Sequence, residues 1–158
     1  MGSMVSITCN DCKNKEVYYL GIGFMYFSKN VFYKNISENE SPLIFNLIKS
    51  KKIINIVKKY LENGAIPDND YGNDFYYCEK CKLIEDYFYF SLNDNGNIYT
   101  PSYKCKLCKN NMMRIIDFNE YEGYVFENNP NVKIKELEIR CKKCNGNNMK
   151  IEECGNWD

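Results

Sequence analysis

Eight of the nine cysteines in this chain fall in four Cys-x-x-Cys pairs: Cys9/Cys12, Cys78/Cys81, Cys105/Cys108 and Cys141/Cys144. A two-residue spacer lets a tight turn aim both sulfurs at one ion while backbone N–H groups point at the sulfurs. Four such pairs supply the ligands of two tetrahedral four-cysteine sites, and two structural Zn²⁺ ions are the expected occupants. One pair would constrain little. Four, each approached by strand-like sequence, oblige distant parts of the chain to meet.

Four thiolates also suit rubredoxin-type iron or an iron–sulfur cluster, which a visible spectrum separates from colourless zinc. Redox Cys-x-x-Cys chemistry needs a thiol of depressed pKa at a helix start in a βαβ setting, whereas strand-like sequence flanks these pairs. No apolar run approaches the roughly 20 residues that span a bilayer, and no signal-peptide core follows the start. The expected location is therefore cytoplasmic, where thiols stay reduced and paired cysteines hold metal. Met1-Gly2-Ser3 ahead of Met4 looks like a cloning remnant, so residues 1–3 are set aside and 4–158 are taken as a single zinc-stabilised domain.

Lys+Arg and Asp+Glu balance at 21 each. Eight thiolates and two divalent cations would shift the metallated chain to about −4, an unfavourable start for non-specific binding to phosphates.

Along the chain, Val5–Thr8, the first knuckle and Glu16–Leu20 read as strand, knuckle, strand. Gly21-Ile22-Gly23 lacks the third glycine of a nucleotide fingerprint and marks a bulge or sharp bend. Ser41-Pro42 is expected to open a helical insertion over about 41–64, as two short helices or one bent one across 42–62. Ser50-Lys51-Lys52 interrupts its apolar stripe and Asn63-Gly64 closes it. Lys49, Lys51, Lys52, Lys58 and Lys59 form its solvated face, with docking to an acidic partner as the alternative. Residues 66–74 read as a loop. Leu83–Leu92, the turn Asn93-Asp94-Asn95-Gly96 and Asn97–Lys104 read as a hairpin. Within it Phe88 and Phe90 face the core, and Tyr87 and Tyr89 lie half-exposed, where they could also stack bases or a peptide. Met112–Phe118 is a strand, 117–127 an acidic loop, Asn128-Asn129-Pro130 a break, and 132–140 either short helix or strand. Cys154 is a buried or spare thiol outside the ligand set, and Trp157 packs on the body.

Four knuckles can share two ions in three ways. The shortest gap, 23 residues between Cys81 and Cys105, holds the hairpin, and closing a short loop costs least entropy. This favours Cys78, Cys81, Cys105 and Cys108 at one site, with Cys9, Cys12, Cys141 and Cys144 at the other. The in-order pairing, first knuckle with second and third with fourth, stays open.

The segment Tyr76–Ile116, with Tyr-Tyr-Cys-x-x-Cys, a hairpin and Lys-Cys-x-x-Cys, resembles the zinc-ribbon superfamily over about a quarter of the chain. The whole order is also similar to that of small uncharacterised bacterial proteins with four Cys-x-x-Cys knuckles. The resemblance implies an α+β fold of zinc-ribbon-like antiparallel β-hairpins, with two structural Cys₄ zinc sites and a short helical insertion. Ribbons of transcript-cleavage factors carry an adjacent Asp-Glu pair at the hairpin tip. Here the tip is Asn93-Asp94-Asn95-Gly96, so the resemblance does not extend to that activity.

The chain has no histidine, hence neither the commonest general base nor the usual ligand of an open catalytic zinc. No Gly-x-Ser-x-Gly, P-loop or close acid pair appears, so no enzyme activity, catalytic residue or small-molecule substrate is expected. The expected function is a structural zinc-binding, non-catalytic protein-interaction module with a protein partner and no membrane. The alternative is a nucleic-acid-binding zinc ribbon in transcription or translation, using Lys13, Lys80, Lys82, Lys104, Lys106, Lys142, Lys143, Arg114 and Arg140 near the knuckles.

Overall fold

The computed structural model describes residues 2–24, 26–33, 41–117, 124–126, 129–133 and 137–157. They form three antiparallel sheets and three helices.

The first sheet has the order β11-β1-β2 and joins the two ends of the chain. β1 (Gly2–Cys9) turns through the first knuckle into β2 (Lys15–Leu20), as the strand, knuckle, strand pattern required. β11 (Met149–Trp157) lies along the other edge of β1, from Cys9↔Met149 to Gly2↔Trp157. Gly2 and Ser3, set aside on sequence grounds, are thus paired strand residues. Trp157 does pack on the body: its Nε1 donates to the Leu20 carbonyl at 2.9 Å, and its ring meets Tyr19 and Tyr26 edge-on. Cys154 sits at the bulge between Met4/Val5 and β11, exposed and apart from the other eight cysteines.

The five-stranded sheet has the order β10-β9-β8-β4-β5, from β4 (Gly72–Cys78), β5 (Leu83–Tyr89), β8 (Met113–Asp117), β9 (Tyr124–Phe126) and β10 (Asn129–Lys133). β4 lies between β8 and the edge strand β5, paired on both sides. Alternation sends Phe75 and Tyr77 to one core, with Val5, Ile7, Tyr18, Leu20, Ile84, Ile115 and Ile139. Tyr76 and Cys78 go to a second core beneath the helices, with Val31, Phe32, Ile44, Val57, Phe88 and Phe90. The strand is accordingly buried without interruption from Phe75 to Cys78, whereas Asn73 and Asp74 before them are only partly buried. Gly21, at φ +74°, bends the chain out of β2 and exchanges both backbone hydrogen bonds with Asn73, at 2.7 and 2.9 Å. The first two sheets are stitched together there. A Cβ on Gly72 would lie 2.9 Å from the Gly21 carbonyl oxygen, so this crossing requires glycine.

Several local expectations are corrected. The helical insertion holds α2 (Ile44–Leu47) and α3 (Lys51–Glu62), after a short α1 (Ser28–Phe32) that carries no sequence signal. Ser41 and Pro42 lie before α2 and cap nothing. The cap is Ser50, whose side chain accepts from Ile53 N–H, so the apparent interruption is the start of α3. Asn63-Gly64 does close α3: Gly64 N–H bonds Leu61 O and Ala65 N–H bonds Tyr60 O, a Schellman motif with Gly64 at φ +84°.

The 83–104 hairpin is divided. β5 stops at Tyr89 and pairs back through the second knuckle with β4. Beyond it β6 (Leu92–Asp94) and β7 (Asn97–Tyr99) form a small hairpin about the expected Asn95-Gly96 turn. β3 (Ile66–Pro67), expected to be loop, adds to β6 as the third sheet. Burial of Phe88 and Phe90 beside half-buried Tyr87 and Tyr89 follows the alternation. Asn129 and Pro130 lie inside β10 rather than at a break, and Tyr124–Phe126 is a strand within the expected acidic loop. Asp117, the first residue of that expected loop, ends β8, and residues 118–123, 127, 128 and 134–136 lie outside the described residues.

Candidate metal centres

The eight paired cysteines gather into two groups, Cys9, Cys12, Cys141 and Cys144, and Cys78, Cys81, Cys105 and Cys108, each with its sulfurs within 4.8 Å of one another. This is the nested arrangement, and the in-order alternative is excluded by it. Sγ–Sγ distances are 3.6 Å for Cys9–Cys144, 3.6 Å for Cys12–Cys141 and 3.5 Å for Cys78–Cys108. A tetrahedral ion with bonds of about 2.3 Å to sulfur sets its ligands about 3.8 Å apart. The spacing fits such an ion and exceeds a disulfide bond of about 2.05 Å.

All four knuckles share one backbone turn. The N–H of the residue after the second cysteine donates to the carbonyl of the first: Lys13 to Cys9, Lys82 to Cys78, Lys109 to Cys105 and Asn145 to Cys141, at 2.7–3.0 Å. Those four residues hold φ of 59–62°. The turn leaves N–H groups aimed at sulfur, Cys81 N–H at Cys78 Sγ and Lys143 N–H at Cys141 Sγ, both at 3.4 Å. Left-handed backbone strains any residue with a Cβ by roughly 1–2 kcal/mol, whereas glycine is free of that strain but loses more entropy on folding. Lys13 is exposed. Lys13→Gly is therefore expected to stabilise the metal-loaded protein by about 0.5 kcal/mol and Lys13→Val to destabilise it, read as opposite shifts of the denaturation midpoint.

The thiols in each group do not titrate alike. The Asn110 backbone leads in drawing the Cys108 thiol down to about 7, while sharing hydrogen bonds with Cys108 pushes Cys81 up to about 12. Burial opposes ionisation of Cys141, yet N–H groups of Cys144 and Lys143 outweigh it and hold the thiol at about 7. At Cys144 the Gly146 N–H favours the thiolate, but contacts with Cys12 and Cys9 prevail and push it up to about 12. A cation must displace protons from such a set, so occupancy falls as pH falls.

Comparison of the chain with protein-family models, curated proteins and solved structures found no match. The two groups of four cysteines, which fit zinc-binding sites, are therefore the positive sign of its chemistry.

An ion-pair chain that sequence alone did not reveal spans both centres. Lys106, between the cysteines of the third knuckle, binds Glu85 at 2.7 Å. Lys142, inside the fourth, lies 3.8 Å from the same Glu85 and 3.0 Å from Glu16, and also donates to the Tyr18 hydroxyl. Arg140 pairs with Glu138, and Arg114 is buried against Asp70 and Asp74. Among the described residues, four of the nine knuckle cations are thus engaged with carboxylates. No helix among the described residues is long and apolar enough to cross a membrane.

Proposed function

We propose that each four-cysteine group holds a structural zinc ion in a zinc-ribbon-like unit, and that the protein is a non-catalytic module for binding another protein. The sulfur geometry carries this reading: four ligands per centre leave no open position for substrate or water. The protein-partner part draws support from aromatic side chains left in solvent. Tyr19 is 50 % exposed, Phe24 67 % and Phe27 49 %. Phe24 and Phe27 touch edge-on, as do Tyr19 and the Trp157 ring. Exposed aromatics gathered in this way favour protein contact, and the engagement of Lys106, Arg114, Arg140 and Lys142 by carboxylates weighs against the nucleic-acid alternative.

Elemental analysis of freshly purified, untreated protein is expected to give two zinc ions per chain. Folded protein without a bound transition metal would overturn the scaffold. For the partner, the metal-loaded chain is used as bait in nuclease-treated lysate from its native cell. A stoichiometric protein, retained after nuclease and lost on replacing Tyr19 and Phe24 by serine, is expected. Retention that depends on nucleic acid would overturn the protein-partner reading.

A further inference from the structure

Three lysines with no ion pair to a described carboxylate converge on one cleft. It measures about 640 Å³ and lies between the start of α3 and the segment 99–104 that leads into the third knuckle. Lys49 and Lys52 enter from the helix side and Lys104 from the opposite side, all exposed. Their situation differs from that of Lys106 and Lys142, which glutamates hold. Among the described residues lining the cleft there is no Asp or Glu. Even in a chain whose metallated charge would be about −4, three ammonium groups around one concavity form a local positive field that attracts an anion.

The wall imposes a second requirement. Tyr87 and Tyr103 stack 4.3 Å apart and 7° from parallel, and Tyr99 lies beside them, tilted against Tyr60. Ile53 adds apolar surface from the helix. A bare inorganic anion would leave all of this unused. A planar ring carrying phosphate uses both halves: the ring lies on tyrosine and isoleucine, the phosphate meets the lysines, and the Ser102 hydroxyl is available as a donor. The volume falls within the roughly 300–1,000 Å³ of small-molecule clefts.

We propose that this cleft binds a nucleoside phosphate, with the base against the tyrosine wall and the phosphate on Lys49, Lys52 and Lys104. The aromatic group at Tyr19 and Trp157 is a separate surface, so this site does not depend on the protein partner proposed above.

The test titrates ADP, inorganic phosphate and a short single-stranded oligothymidylate into the metal-loaded full chain at low salt, with calorimetry and amide chemical shifts as readouts. ADP is expected to bind with a Kd below about 1 mM, and inorganic phosphate at least about tenfold more weakly. Shift changes are expected around residues 49–56 and 99–104. The Lys52→Ala/Lys104→Ala double variant, altered only at exposed side chains, should weaken ADP binding by about tenfold or more, and Lys15→Ala on β2 should leave it unchanged. An oligonucleotide that binds more tightly than ADP, and loses that affinity in the double variant, would identify the occupant as part of a strand while preserving the recognition chemistry. Absence of ADP binding at millimolar concentration, binding unaffected by the double variant, or phosphate binding as tightly as ADP would overturn the proposal.

Discussion

Replacing Cys105 by serine is expected to reduce bound zinc from two ions per chain to one and to unfold the region around the third knuckle. Cys105 is buried, 2 % exposed, in the helix-side core, beside Cys78 and Tyr103. Beyond its own turn, closed by Lys109 N–H on Cys105 O, the third knuckle is held by little backbone structure: the isolated bridge Lys104↔Asn111, Cys105 N–H on Asn110 O, and Met112 N–H on Tyr103 O. A structural zinc contributes an apparent ~10–16 kcal/mol in small peptides near neutral pH. Whole domains are stable by only ~5–15 kcal/mol. Loss of this ion should therefore abolish cooperative unfolding of the helix-side core. Cys144→Ser is the contrasting case. Cys144 is exposed, and its centre sits at the end of a β1–β11 ladder of backbone pairs that runs from Cys9 to Gly2. That variant should also lose one zinc yet keep most of its strand signal. Zinc content with circular dichroism checks both, and a Cys105→Ser chain with two ions and an unchanged melting curve would remove Cys105 from the ligand set.

The cysteine framework was legible in the sequence because its constraints are local or combinatorial. Each Cys-x-x-Cys turn is set within six residues, and three pairing schemes could be ranked by loop closure. The same ranking failed to give strand register. The Asn93–Gly96 turn specifies a hairpin but not how far its arms extend, and β5 exchanges hydrogen bonds with β4 instead of with residues 97–104. The second knuckle already delivers β5 antiparallel to β4, so the nearer partner is taken first. Helix entry misled for a related reason. Ser41-Pro42 and Ser50 both have capping chemistry, but only Ser50 precedes a stripe long enough to bury Ile53 and Val57. The Glu85 link between the centres and the Arg114 cluster join residues whose proximity is a product of the sheet order, and no spacing in the chain announces them.

Arg114→Ala is expected to destabilise the protein by about 3 kcal/mol while leaving both metal ions in place. Arg114 was a candidate phosphate ligand on its position near the third knuckle, but the fold puts it on β8 with only 8 % of its side chain exposed. Its Nε donates to Asp74 at 2.6 Å, and its two terminal nitrogens reach Asp70 at 3.0 and 3.2 Å. The guanidinium carbon lies 3.2 Å from the centre of the Tyr89 ring. Burial alone would favour the neutral form, but Asp70 and Asp74 outweigh it and raise the pKa further above its ordinary value, so the group stays charged. Removing one member of a buried pair costs roughly 3–5 kcal/mol because the other charge stays desolvated. Asp70 is 64 % exposed and Asp74 only 19 %, which places the cost at the low end and assigns most of it to Asp74. For a chain of this size 3 kcal/mol corresponds to a fall in Tm of roughly 10 °C. Arg114→Lys should recover only part of it, since an ammonium cannot reproduce the forked contacts or the stacking on Tyr89. Asp70→Asn should cost under about 1 kcal/mol, as exposed pairs do. A large loss of stability with two zinc ions retained separates this ion cluster from the metal centres. An Arg114→Ala protein that melts with the parent chain would show that Asp74 regains its hydration once the guanidinium is removed, against this account.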